Sequence, residues 1–130
     1  MFWSANVANA SIQSVPKEAF GPKSQSVEEF VREYFASEPV LIEIARCESQ
    51  FRQYDEKGAV LRGEVVSDDI GIMQINDHFH GDTAKKMGFN IRTIEGNLAY
   101  AKMLYDKQGI APWSASKKCW SVVHKELAQK

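Results

Sequence analysis

From Ser26 onward, apolar and polar residues alternate with clear periods. Ser26-Val27-Glu28-Glu29 is a capping-box pattern, and Val27, Phe30, Val31, Tyr34 and Phe35 follow it at helical spacing. Ser37 can cap a second helix with Pro39 in its first turn, running to about Ser49. Between Gln53 and Asn76 the character changes. Gly58, Gly63 and Gly71 punctuate the β-prone runs 59–61, 64–66 and 70–75, which predicts an antiparallel hairpin or a three-stranded patch. Helical periodicity returns over 80–87, stopped by Gly88, and over 93–108, stopped by Gly109. A last helix is predicted from Ser114 or Ser116, carrying Cys119, Trp120, Val123 and Leu127. Helices, a β patch and helices again make an α+β domain, mostly helical, over 26–130. Residues 1–25, with Pro16, Gly21 and Pro22 and no period, read as an N-terminal arm or linker. Phe2, Trp3 and Phe20 are its candidates for docking on the domain.

Composition narrows the function classes. The chain has 130 residues, 44% of them apolar, enough for one core. Sixteen basic and seventeen acidic side chains leave a net charge of −1, which removes the electrostatic basis for binding nucleic acid or anionic lipid. Apolar runs are too short for a membrane span, and Met1–Phe20 lacks the basic start of a secretory signal. His78 and His80 have no further ligands at metal spacing, so no metal or cofactor is expected.

Two carboxylates carry the candidate chemistry. On a helical wheel of ~100° per residue, Val40, Leu41, Ile44 and Ala45 share one side, while Glu43 and Arg46 pair on the other. Glu48 falls in the apolar sector. Either the helix ends and Glu48 turns to water, or its carboxyl stays among apolar groups and keeps its proton, as a general acid must. Asp69 directly precedes Ile70-Gly71-Ile72-Met73-Gln74-Ile75-Asn76. In a strand it would share a face with Gly71 and Met73, and Gln74 and Asn76 would offer amides to sugar hydroxyls. The plainer reading is a turn acid before a buried strand. Taken together, a helix-terminal Glu and an Asp on a β patch match the division of labour in glycoside hydrolysis, for which lysozyme is the standard template.

The motifs support this with a family resemblance. Cys47-Glu48-Ser49-Gln50-Phe51 resembles the Glu-Ser-x-Phe signature of the lysozyme and lytic transglycosylase superfamily. Gly71-Ile72-Met73-Gln74-Ile75 resembles its Gly-Leu-Met-Gln-Ile motif, and Ile94-Glu95-Gly96-Asn97-Leu98 is similar to the Asn-Ile helix start of the soluble lytic transglycosylases. As a set the motifs resemble the soluble lytic transglycosylase and goose-type lysozyme family. The segment 69–76 also resembles the stretch of chicken-type lysozymes whose Asp is the second carboxylate. The resemblance spans about 37–120 and implies a lysozyme-like fold. It also implies cleavage of the β-1,4 bond between N-acetylmuramic acid and N-acetylglucosamine, with Glu48 as acid and Asp69 as nucleophile or stabiliser. Two features depart from the transglycosylase pattern. The stretch from Glu48 to Gly71 is longer, and Ala111-Pro112-Trp113-Ser114-Ala115-Ser116 stands where Ala-Tyr-Asn-Ala-Gly is usual. The product, a reducing end or a 1,6-anhydro sugar, therefore stays open.

Met73, Gln74, Asn76, Tyr100 and Trp113 are the candidate substrate contacts. Trp113 is either an exposed sugar platform or a core indole, and Tyr100 either lines the cleft or packs. Asn97, on the apolar side of its helix, either ties the helix to neighbouring backbone or meets substrate. Because peptidoglycan lies outside the cytoplasm, the resemblance favours a Cys47–Cys119 disulfide over two core thiols, and a secreted, periplasmic or wall-associated monomer with glycan strands as partner. The alternative is a catalytically silent lysozyme-like domain that binds cell-wall glycan or a wall protein.

Overall fold

The computed structural model describes residues 25–122. Helix α1 (Val27–Tyr34) and helix α2 (Pro39–Ser49) precede a two-stranded antiparallel sheet, β1 (Asp69–Ile70) and β2 (Ile75–Asn76). Helix α3 (Asp77–Lys86), helix α4 (Ile94–Gln108) and a 3-10 helix (Ala111–Ser116) follow, the last running into a helix over 117–122. The chain is α+β and mostly helical. The arm predicted for 1–25 lies, but for Gln25, outside the described residues, as do Val123 and Leu127.

Helix boundaries follow local chemistry. Ser26 and Glu29 close a reciprocal capping box, each backbone N–H donating to the other side chain at 3.0 and 3.1 Å. At α2 the N-cap is Glu38 rather than Ser37, and no side chain caps it. Pro39 at the first helical position has no N–H to satisfy and sets the start by itself. Helix α3 begins three residues earlier than predicted, because Asn76 Oδ1 accepts from the Phe79 N–H at 2.9 Å. Thr93 Oγ1 does the same for Gly96 at the head of α4. Gly96 has no Cβ because the Asn90 backbone lies against it.

The β patch is smaller than predicted. Its register pairs Asp69 with Asn76 and Ile70 with Ile75; among the described residues one isolated bridge, Arg62–Ile70, touches it, and another, Tyr54–Val60, stands apart. The 64–66 run forms no strand, and Val65 is 97% exposed. The segment 70–75 is strand, turn and strand, with Gly71 at φ +74° and Gln74 at φ +50°. The alternation expected to put Asp69, Gly71 and Met73 on one face is therefore broken at Gly71.

Two buried amides hold this turn. Ile72 N–H donates to Gln53 Oε1 at 2.9 Å, and Met73 N–H donates to Asn97 Oδ1 at 2.8 Å. Asn97 Nδ2 donates to the carbonyls of Ile70 and Ile91 at 3.1 and 2.9 Å, and Gln53 Nε2 donates to Ile91 O at 3.3 Å. Trp113 Nε1 reaches Met73 O at 2.9 Å. A side chain at Gly71 would collide with both amides, which explains glycine there. Asn97 thus ties backbone to backbone and is wholly buried. Around the clamp lie Val31, Phe35, Leu41, Ile44, Ile70, Ile72, Leu98, Tyr100 and Trp120, all buried.

A disulfide joins Cys47 on α2 to Cys119 across 72 residues, which on the chain-entropy view contributes about 4 kcal/mol. Among the described residues, no helix is long and apolar enough to cross a membrane.

Replacing Asn97 by Ala removes three buried hydrogen bonds at once, and of the backbone groups involved the Ile91 carbonyl keeps its Gln53 donor. We expect a loss of about 3 kcal/mol in urea-unfolding free energy. A loss below about 1 kcal/mol would show that the turn holds itself without the amide.

Candidate active site

Glu48 is the second-last residue of α2, on the same side as buried Leu41, Ile44 and Ala45, and its side chain is only partly accessible. The helix does not release it to water. Directly after α2, Gln50 and Phe51 both take left-handed backbone, φ +55° and +62°, and turn the chain sharply away. Gln74 shares this conformation, so among the described residues the three non-glycine residues with positive φ all flank the carboxylate region. Such strain persists only where surrounding structure enforces it, and it concentrates at functional sites.

Ser116 Oγ lies 2.6 Å from Glu48 Oε2 and donates to it. Burial pushes the Glu48 carboxyl up from the ordinary carboxylate range. The Ser116 hydrogen bond partly opposes that shift, and the negative charge of Asp69 adds a smaller upward push. Asp69, on β1, is held by Asn76 Nδ2, which donates to its Oδ1 at 2.9 Å.

Both carboxyl groups line a groove formed by two adjoining cavities of about 540 and 280 Å³, which share Glu48, Asp69, Gln74 and Ala115. The larger half carries Arg52, Arg62, Val65 and Val66; the smaller carries Asn76, Phe79, His80 and Gln108. A separate cavity of about 400 Å³, between α3 and the 88–92 loop, contains the Arg92–Asp77 ion pair and neither carboxyl of the groove.

The groove sorts the remaining predicted residues. Gln74 lies where its two halves meet, with Nε2 spent on Gly71 O at 3.0 Å. Asn76 is in the groove, but both ends of its amide are engaged, one by Asp69 and one by the Phe79 N–H. Met73 is fully buried, so its side chain is core and only its backbone serves the clamp. Trp113 is 3% exposed, with its N–H committed to Met73 O. It borders the groove from beneath and offers no exposed platform, because its N–H finds its partner only in the buried turn. Tyr100 is buried behind the groove, its hydroxyl 3.0 Å from His80 Nδ1.

Three lining residues escape the sequence reading. Phe79 is 76% exposed on the groove, an aromatic outside any apolar stripe and set between two histidines. His80, steadied by Tyr100, stands beside it; burial lowers its pKa, which favours the neutral ring. Ser116 meets Glu48 from 68 residues away. Its one sequence signal is indirect: Cys119 follows it by nearly one helical turn, and Cys47 adjoins Glu48.

A carboxyl that burial inclines to keep its proton, lining one groove with a second carboxyl, is a pairing suited to acetal cleavage. The first supplies a proton to a leaving oxygen, and the second faces the positive charge that develops at carbon. No protein-family model, curated protein or solved structure matches the chain.

The raised pKa of Glu48 has a definite sign in stability. At pH values below the unfolded carboxyl's range both states are protonated and nothing is lost. As pH rises through the folded pKa, the folded state must hold a charge that water holds better, and stability falls. Glu48→Gln should therefore be more stable than the parent at pH 7, with the advantage gone by about pH 4. Chemical denaturation at the two pH values checks this. Equal stabilities at pH 7 would mean that burial does not disfavour the charge.

Proposed function

We propose that the chain cleaves the β-1,4 bond between N-acetylmuramic acid and N-acetylglucosamine in peptidoglycan, with Glu48 as general acid and Asp69 as the second carboxylate. The observation that carries this is the half-buried Glu48, its pKa raised, sharing one groove with Asp69. The motif resemblance supplies the substrate class and a lysozyme-like fold.

In this reading Glu48 gives its proton to the glycosidic oxygen as the bond to the anomeric carbon breaks, and the electron pair leaves with that oxygen. The anomeric carbon becomes positively charged and faces the Asp69 carboxylate, which Asn76 orients. Glu48, now ionised, takes the proton of the attacking hydroxyl. That hydroxyl belongs either to water or to C6 of the same sugar; an oriented Asp69 on the groove favours water. Phe79 offers its ring face to a pyranose, the part that an exposed Trp113 would have played. Gln74, with its amide NH2 engaged, keeps its oxygen as an acceptor for sugar hydroxyl or N-acetyl N–H groups.

The Cys47–Cys119 disulfide supports a site of action outside the reducing cytosol, where peptidoglycan is found. With a net charge of −1, affinity for an anionic wall rests on groove contacts rather than on bulk attraction.

Solubilisation of purified sacculi tests the assignment. Glu48→Gln keeps shape and the Ser116 contact but removes the proton, and should slow release about a thousandfold. Asp69→Asn should slow it about a hundredfold. Undiminished release by Glu48→Gln would remove the acid. Sacculus binding without release by the parent chain would instead mark a silent glycan-binding domain.

A further inference from the structure

Ser116 closes the 3-10 helix Ala111–Ser116, and its hydroxyl stands among three partners, two of them of fixed polarity. Trp120 Nε1 can only donate, and it does so to Ser116 Oγ at 3.0 Å. The Trp113 carbonyl can only accept, and lies at 3.2 Å. Glu48 Oε2 lies at 2.6 Å, within the range of hydroxyl-to-carboxylate bonds. One hydroxyl proton serves two acceptors, and the carboxyl contact is the shorter by a wide margin. Oε2 is therefore an acceptor already in use.

The other oxygen differs. Glu48 Oε1 has no hydrogen-bond partner among the described residues, yet it is not sealed from solvent: the buried unpartnered side-chain atoms there are the two carboxyl oxygens of Glu95. It belongs to a side chain that lines both halves of the groove.

We propose that Ser116 is a positioning residue that assigns the two oxygens of Glu48 different tasks. Oε2 is kept as the acceptor of the serine O–H, so the transferable proton resides on Oε1, the oxygen open to the groove. Once that proton has passed to the leaving oxygen, the Ser116 O–H remains on the carboxylate and offsets part of the new charge. Should Oε2 take up a proton, the hydroxyl can turn to the Trp113 carbonyl without losing a partner. The disulfide holds both ends of the contact, because Cys47 precedes Glu48 and Cys119 lies between Ser116 and Trp120. The inference rests on Glu48 acting as the acid, and it adds a donor that the motif resemblance does not include.

Two readouts test it in the full chain: a ¹³C NMR titration of the Glu48 carboxyl, which needs no turnover, and the pH–rate profile on sacculi. Ser116→Ala keeps a good helix former but no donor. Its Glu48 midpoint and the basic limb of its rate profile should move to higher pH, with kcat lower about tenfold and KM unchanged. Ser116→Thr, which restores a hydroxyl, should recover both. A Glu48 titration in Ser116→Ala that superimposes on the parent overturns the proposal. So does a loss confined to thermal stability with kcat and midpoint intact. If the parent chain releases no glycan, the glycosidase reading fails, and the NMR titration still decides the Ser116 contact.

Discussion

The Gly71–Gln74 turn is held in place by two buried side-chain amides that replace the partners a strand would have supplied. Gln53 and Asn97 between them bind the N–H groups of Ile72 and Met73 and the carbonyls of Ile70 and Ile91. Unpaired, these buried groups would cost about 1–3 kcal/mol each. Paired, they lock the turn to the head of α4 and to the 91 region, and the Trp113 N–H adds the segment before the final helix. Asp69 and Asn76 leave this turn on adjacent strands, so their mutual hydrogen bond and their place on the groove follow from it.

Glu48 comes to the same groove by a different route. Helix α2 delivers it from the apolar side, two successive left-handed residues end the approach, and the Cys47–Cys119 bond pins the helix end to the chain that carries Ser116. The two carboxyl groups thus have unlike surroundings. One is partly buried and favours its proton; the other is held by an amide on a strand. Unlike environments for two acids are what separates a proton donor from an anion.

Much of this is legible in the residues themselves. The capping box at Ser26, the stops at Gly88 and Gly109, and the apolar position of Glu48 are local signals, and local geometry follows them. Asn97 on an apolar helix face also declares a buried hydrogen-bonding role. What escapes is long-range. The 70–75 run has the composition of a strand, but tertiary bonds from Gln53 and Asn97 override that preference at Gly71. Trp113 and Met73 are apolar residues near a motif, and nothing local tells core from groove. Phe79 and Ser116 acquire meaning only when α3 and the 3-10 helix are brought to the carboxyl groups.

Glu48 and Asp69 are proposed as a pair for glycan cleavage. That pairing is tested most directly by digesting purified peptidoglycan with the full chain and weighing the fragments by mass spectrometry. The account predicts new fragments that terminate in N-acetylmuramic acid with a reducing end. Glycan strands left uncut by a correctly folded protein would contradict it.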